Sequence, residues 1–149
     1  MMGMIAERTA DEWHNSLPKT GGVYRLINGT MGDRSQQERI NAVIALGESD
    51  DPRAVHPLMD CCCDTDVMIR WHATEALLKL RSGRSVRVLI ERLKDKNEQM
   101  KTRQRAAAAL AAIRSYSAIE GLRSLYSDTN VDPVLRSFVA EELHRVRIR

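Results

Sequence analysis

Aromatic residues are scarce in this chain of 149 residues, at 4% of the total. A core must therefore be filled by Leu, Ile, Val, Met and Ala, which is the composition of packed helices rather than of sheets. No stretch approaches the roughly 18 uncharged apolar residues of a membrane span, so we expect none. The first residues, MMGMIAERTADEW, lack a basic segment followed by an apolar run, and we expect no secretory signal.

Cysteine is also scarce, and the three cysteines lie side by side at Cys61, Cys62 and Cys63. An odd and adjacent set does not pair neatly into disulfides, which favours a reducing compartment and predicts a cytoplasmic protein. The hydrophobic share of 43% is that of a folded domain rather than of a disordered chain.

What the sequence does contain is an internal repeat. Arg39, Arg70, Arg103 and Arg136 recur at spacings of 31, 33 and 33 residues. Small or apolar residues follow these arginines in the one-face pattern of an amphipathic helix, and in the first three units a second helix with the same pattern comes next. We therefore predict an all-α fold, an α–α superhelix (solenoid) of about four two-helix units.

The units are predicted at 33–63, 64–94, 95–127 and 128–149, with residues 1–32 as an N-terminal cap. Val23 and Leu26 lie 32 residues before Val55 and Leu58, which indicates a degenerate repeat in the cap, with KTGG (19–22) and NGTMGD (28–33) as its turns. The last unit has one helix. Its apolar residues either cap the stack or join a second chain in a homodimer.

Helix starts are marked by short polar patterns. The stretches 35–38 (SQQE) and 117–120 (SAIE) have the form of a capping box, in which the leading serine accepts a backbone hydrogen bond. Asp51-Pro52 and Asp132-Pro133 each place an N-cap residue before a proline at the first helical position.

In every unit an Asp or Asn stands six residues before the arginine, and in the first three units Ala-x-x-Ala-Leu follows it. This pattern, over about residues 33–149, resembles HEAT-like repeats of the phycobilisome-lyase type. The resemblance implies that each arginine pairs with the Asp/Asn column of a neighbouring turn and helps to stack the units, rather than binding phosphate. The predicted structural ladder comprises Asp33, Arg39, Asp64, Arg70, Asn97, Arg103, Asn130 and Arg136.

The repeat also accounts for the stretch HPLMDCCCD (56–64). Cys62 falls in the column of Leu93 and Tyr126, which predicts a buried core column, whereas Cys63 falls on polar positions and is expected to be exposed. The residues at 56, 60 and 63 share one helix face with a spacing that can bind a metal, but they supply only three ligands. We therefore predict no metal site.

No catalytic constellation is present. The sequence contains no Ser-His-Asp pattern with context, no P-loop and no G-x-G-x-x-G. The iron-binding hydroxylase built from HEAT-like repeats requires His-Glu dipeptides, whereas the four histidines here are followed by Asn15, Pro57, Ala73 and Arg145. We expect no catalytic residue and no cofactor. A lyase-type enzyme or enzyme accessory is the weakest alternative and follows from the resemblance alone.

Charge is distributed unevenly along the chain. Residues 33–66 carry a net charge of −5, and residues 79–105 carry +7. The predicted basic patch comprises Arg81, Arg84, Arg87, Lys94, Lys96, Lys101 and Arg105. Such a patch can neutralise phosphates, so a nucleic-acid-binding module that uses residues 79–105 is the first alternative. The stretch has no aromatic residue to stack on bases, which favours an acidic protein partner.

In a solenoid the second helices line the inner surface, where a partner is bound. The predicted inner face comprises His56, Met59, Asp60, Cys63, Arg87, Ile90, Glu91, Lys94, Glu120 and Ser124. Its mixture of charge, thiol and modest apolar surface is typical of protein recognition. We therefore predict a non-catalytic scaffold or adaptor that binds another protein through this face.

Overall fold

The computed structural model describes residues 20–148, which form eight α-helices and no strand. The helices are α1 (Thr20–Gly29), α2 (Gln36–Glu48), α3 (Val55–Cys61), α4 (Val67–Leu80), α5 (Val86–Lys94), α6 (Met100–Ile113), α7 (Tyr116–Ser127) and α8 (Pro133–Ile148). Short 3-10 turns, Pro52–Ala54 and Gly83–Ser85, lead into α3 and α5. None of these helices is long and apolar enough to cross a membrane.

The helices form two layers along the chain. The first helices of the units, α2, α4, α6 and α8, pack side by side in that order. The second helices α3, α5 and α7 each pack against the first helix of the unit that follows, and α5 also packs against α7. Pairs α2/α3, α4/α5 and α6/α7 lie within 33–63, 64–94 and 95–127. The predicted all-α solenoid architecture is confirmed.

Three of the four predicted helix-start signals, Ser35, Asp51 and Asp132, are found at helix starts. Ser35 Oγ accepts a hydrogen bond from the Glu38 amide at 3.2 Å, and Asp132 Oδ1 accepts one from the Val134 amide at 2.8 Å. The capping box predicted at 117–120 is wrong, since Ser115 caps α7 and accepts from the Ala118 amide at 3.2 Å. The reason is that Arg114, in the left-handed conformation with φ of 60°, caps the end of α6, and only Arg114 and Ser115 lie between the two helices.

The predicted N-terminal cap lies only partly within the described residues, since residues 1–19 fall outside them. The prediction of a turn at KTGG is wrong, because residues 20–22 form the first turn of α1. Of the turn predicted at NGTMGD, Asn28 and Gly29 still belong to α1, and the turn to α2 begins at Thr30, whose amide donates to the carbonyl of Ile27 at 3.1 Å. Val23 is buried in the core, and Leu26 packs at its edge.

The core consists of apolar columns that recur from unit to unit. Leu58, Leu89 and Leu122 occupy one column on the second helices and are fully buried. In the next column Cys62 and Leu93 are buried as predicted. The prediction that Tyr126 is buried is wrong, because this residue is 43% exposed and Leu125 fills the core instead. Residues three and four positions after Leu122 share one helix face, and the side chain without a hydroxyl takes the dry position.

The first helices approach one another closely at Gly47. A Cβ atom at this position would lie 2.6 Å from Ala76 Cβ and 2.8 Å from Ala76 Cα, so α2 and α4 touch backbone to backbone. The small residues of the first helices therefore set the spacing between units.

We expect Gly47→Ala to lower the free energy of unfolding by about 2 kcal/mol, measured by urea denaturation. Overpacking against Ala76 costs roughly 3 kcal/mol, and the better helix propensity of alanine returns about 1 kcal/mol. Gly83→Ala is the control, because a Cβ at Gly83 meets nothing within 4 Å. A Gly47→Ala protein as stable as wild type would show that the two helices can move apart freely.

Candidate functional site: the inner face and the arginine ladder

The predicted inner face lies on and just beyond α3, α5 and α7, and most of it is open to solvent. The exposed members are His56, Asp60, Cys63, Arg87, Glu91, Lys94 and Ser124, and the half-buried members are Met59, Ile90 and Glu120. These side chains form one outward row per unit, so the layer of second helices presents a mixed polar surface.

Two ion pairs within this face are weak. His56 Nε2 lies 3.9 Å from Asp60 Oδ2, and Arg87 Nε lies 3.5 Å from Glu91 Oε1. Asp60 and Arg87 keep 74% and 92% of their side-chain surface exposed. Pairs of this kind stabilise a fold by about 0–1 kcal/mol. The four side chains can therefore turn toward a partner at little cost to the fold.

Ile90 belongs partly to the packing between units. A Cβ at Gly121 would lie 2.8 Å from Ile90 Cδ1, so the Ile90 side chain rests directly on the α7 backbone. Its substitution would disturb the α5–α7 contact as well as the surface. Variants that probe the inner face are better placed at Asp60 and Arg87.

Each of the four ladder arginines donates a hydrogen bond to a backbone carbonyl at or just after the end of the preceding helix. The acceptors are Thr30 O for Arg39 (Nε, 2.9 Å), Asp64 O for Arg70 (Nη1, 2.9 Å), Leu93 O for Arg103 (Nε, 2.9 Å) and Tyr126 O for Arg136 (Nε, 2.8 Å). Carbonyls at a helix end lack partners within the helix, so each arginine satisfies an acceptor that would otherwise be orphaned.

The remaining guanidinium groups find different partners. Arg39 forms an ion pair with Asp64 of the next turn, as the resemblance implies. Arg70 instead pairs with Glu98, one residue beyond Asn97, through Nε to Oε2 at 2.8 Å. The Arg136 guanidinium lies 5.1 Å from the centroid of the Tyr126 ring. Asp33 and Asn97 lie exposed in their turns.

Glu98 is the buried centre of a charge cluster. Its side chain is 0% exposed and accepts from Arg70 and also from Arg92 Nη1 at 3.0 Å. Burial by itself raises the pKa of this carboxyl, but the hydrogen bonds from Arg70, the Gln99 amide and Arg92 outweigh burial, and the pKa is lowered. In the same way Asp64, half-buried beside Arg39, has a lowered pKa.

A cleft of about 540 Å³ opens where the end of α5 meets α7 and the turn before α8. We call it the Arg103 cleft, and its lining residues are Lys94, Lys96, Arg103, Ser124, Leu125, Asp128, Asn130, Val131 and Asp132. It brings together members of three sets that were separate in the sequence. Lys94 and Ser124 come from the inner face, Lys96 from the basic patch, and Arg103 and Asn130 from the ladder.

The members of the basic patch are spread over both helix layers. Arg87 and Lys94 lie on α5, and Arg81 and Arg84 lie in the link between α4 and α5. Lys101 and Arg105 lie on α6 and flank the ring of Trp71, at 5.1 and 5.3 Å from its centroid. Residues that are contiguous in sequence are thus divided between the two helix layers.

The three cysteines differ in environment. Cys61 and Cys62 are buried, and Cys63 is exposed. Burial raises the pKa of the Cys61 thiol to about 11 and that of Cys62 to about 12. Cys62 Sγ lies 3.8 Å from Thr74 Oγ1 in the core. Among residues 20–148 no group of three or more His, Cys, Asp or Glu side chains is arranged to hold a metal ion.

Two residues that matter here were not singled out from the sequence. Glu98 stands one position after the Asn column, and its only signal is an acid in the turn that precedes a first helix. Trp71 lies one unit before Lys101 and Arg105, and no nearby sequence pattern connects it with them.

A family model described as HEAT repeats matches residues 24–102, more than half of the chain. The chain belongs to the HEAT-repeat family. No curated protein sequence matches it. The resemblance to phycobilisome-lyase-type repeats is confirmed at the level of fold by the structural likenesses below.

Several solved structures share the fold of this HEAT-repeat chain. Human deoxyhypusine hydroxylase in complex with glycerol matches with a TM-score of 0.75 and 23% identity, over 85% of this chain and 44% of that one. An engineered protein matches at 0.61 and 24%, over 86% and 63%. The complex of CpcE and CpcF of phycocyanin lyase from Nostoc sp. PCC7120 matches at 0.65 and 19%, over 92% and 57%. The chain thus spans 44% to 63% of the chains it matches.

We expect Glu98→Gln to destabilise the HEAT-repeat stack by about 3 kcal/mol at pH 7, because it leaves the half-buried Arg70 without its counter-charge and leaves Arg92 with Asp95 alone. The lowered pKa of Glu98 means that its contribution is present above its ordinary value of 4.5 and is lost as pH falls below that value. The difference between variant and wild type in urea unfolding should therefore shrink at low pH. Glu91→Gln, on the exposed face, is the control and should change little.

We expect iodoacetamide at pH 8 to alkylate one thiol of the folded protein rapidly, and Cys63→Ser to remove that reaction. With a pKa of about 11, Cys61 has about one thiolate in a thousand at this pH, and Cys62 has fewer. Mass spectrometry of the intact protein against time reports the count. Rapid modification of two or three thiols would contradict the burial of Cys61 and Cys62.

Proposed function

We propose that this HEAT-repeat chain is a non-catalytic cytoplasmic adaptor that binds another protein through its inner face. The observation that supports the proposal most is the row of exposed side chains on α3, α5 and α7. Asp60 and Arg87 form only weak ion pairs on the surface, whereas the ladder arginines Arg39, Arg70 and Arg103 are bound into the packing. Charged side chains that the fold does not use are available to pair with charges on a partner.

The physical basis of such binding is a surface that is formed before the partner arrives. The second helices are fixed by buried leucines below and by neighbouring units on either side. Little conformational entropy is lost when a partner docks on a surface of this kind. The change from Asp60 on α3 to Arg87 and Lys94 on α5 suits a partner with the opposite order of charge, which sets its direction on the face.

A second candidate, nucleic-acid binding, is supported by one observation. Lys101 and Arg105 lie beside Trp71, so the basic stretch has an aromatic neighbour from the preceding unit. A base can stack on such a ring while the cations meet phosphate. Lys101 and Arg105 already lie over the ring, which leaves less of its face for a base and makes this candidate the weaker one.

The experiment is capture of partners from native extract on the immobilised chain, with half of the extract treated with nuclease. We expect a protein partner in both halves. Asp60→Lys should weaken its retention about tenfold, since the variant reverses a charge that the partner meets. Nucleic acid would instead be retained more strongly by Asp60→Lys, because the variant adds positive charge.

Lys101→Glu is the matched control for Arg87→Glu. Both variants change the net charge equally, but Lys101 lies on a first helix and Arg87 on the inner face. The adaptor predicts that Arg87→Glu weakens the partner and Lys101→Glu does not. Equal loss in both variants, or recovery that disappears with nuclease, would overturn the proposal.

A further inference from the structure

Arg103 is the ladder arginine that is buried without a counter-charge. Arg39 pairs with Asp64, and Arg70 pairs with Glu98, in each case from the turn that follows the next second helix. Arg103 is only 7% exposed, and its Nε–H is donated to Leu93 O. Among the described residues no carboxylate forms an ion pair with Arg103. A guanidinium in this position is costly to bury unless an anion joins it.

The missing partner can be traced to the turn before α8. By the repeat, Asn130 stands where Asp64 stands in the first turn, and Val131 stands where Glu98 stands in the second. The two carboxylates nearby have other roles. Asp128 Oδ1 accepts from the Asn130 amide at 2.9 Å, and Asp132 caps α8. The third unit therefore keeps the arginine of the ladder and lacks its acid.

The surroundings of Arg103 suit a single negative charge. The Arg103 cleft is lined by three cationic side chains, those of Lys94, Lys96 and Arg103, and by two carboxylates. The excess of one positive charge matches a carboxylate, whereas a phosphate dianion would also meet the two aspartates. Ser124 and Asn130 add neutral groups that can hydrogen-bond. Since the Nε–H of Arg103 is committed to Leu93, the Nη groups are the donors left for a ligand.

We propose that the Arg103 cleft binds the carboxylate of an acidic side chain on the protein partner, in the place that Asp64 and Glu98 occupy in the other two units. The proposal rests on the proposed function in assigning that carboxylate to a protein. Lys94 and Ser124 connect the cleft with the inner face, so one partner can occupy both.

The test is a titration of the isotope-labelled chain followed by NMR, through the backbone amides of Ser124 and Asn130 and the Nε–H of Arg103. The probes are the peptide Ala-Glu-Ala, blocked at both ends, the equally blocked Ala-Gln-Ala, and inorganic phosphate at matched ionic strength. We expect saturable shifts with Ala-Glu-Ala and binding of Ala-Gln-Ala weaker by about tenfold or more, because only the first supplies a charge to Arg103.

Asn130→Asp is the decisive variant, since it restores the acid of the first turn without changing side-chain size. We expect it to raise the urea midpoint and to weaken Ala-Glu-Ala by about tenfold, because the new carboxylate competes for Arg103. Asn97→Asp is the matched control, as it makes the same change beside an arginine that Glu98 already neutralises, and it should bind as wild type does. Arg103→Gln, checked for folding by circular dichroism, should abolish binding.

Equal binding of the two peptides, or undiminished binding by Asn130→Asp and Arg103→Gln, would overturn the proposal. Phosphate bound at least tenfold more tightly than Ala-Glu-Ala would overturn it in favour of a phosphate ligand. The titration needs no partner protein, so its result is independent of the capture experiment that tests the adaptor. A captured partner with no peptide binding overturns the cleft proposal and leaves the adaptor. Peptide binding with no captured protein overturns the adaptor and, with it, the assignment of the bound carboxylate to a protein.

Discussion

The stacking of this protein depends on an arginine that reaches back from each first helix to a carbonyl at the end of the preceding helix. The bond satisfies acceptors that a helix cannot satisfy by itself, and it ties the turn between units to the helix that follows. Because the guanidinium lies within the packing, its charge has to be neutralised by an acid nearby. Asp64 neutralises Arg39 and Glu98 neutralises Arg70. The hydrogen bonds from these arginines lower the pKa of both carboxyls and so favour their charged form.

The two helix layers of the stack have different roles. First helices pack closely through small residues, as where Gly47 meets Ala76. Second helices bury one leucine column and leave their opposite side in solvent. The residues that can meet a partner therefore come one row per unit from α3, α5 and α7, and the Arg103 cleft lies where the last of these rows meets the ladder.

Much of the fold was predictable because its signals are local. Helix starts at Ser35 and Asp132 and the leucine column follow from patterns within a few residues of one another. Where two neighbours share a face, as Leu125 and Tyr126 do, spacing alone does not decide which is buried. The choice depends on the hydroxyl of Tyr126 and on Arg136, which lies over its ring.

The candidate site was harder to predict because its geometry is tertiary. The sequence indicated which arginines form the ladder, but not that Arg70 would select Glu98 over Asn97, since the choice depends on how the turn directs each side chain. The same limit applies to the basic stretch. Its contiguous charges look like one patch in the sequence, yet the chain passes from one layer to the other between Lys94 and Lys101.

The position of Glu98 between Arg70 and Arg92 has a consequence for how the stack opens. In a linear array each unit is stabilised only by its neighbours, so fraying begins at the ends and moves inward. The cluster of Arg70, Arg92 and the buried Glu98 joins α4, α5 and the turn before α6, and it adds stability at the middle of the described chain. The central helices then open together rather than one by one, and their amide protons are the last to exchange with solvent.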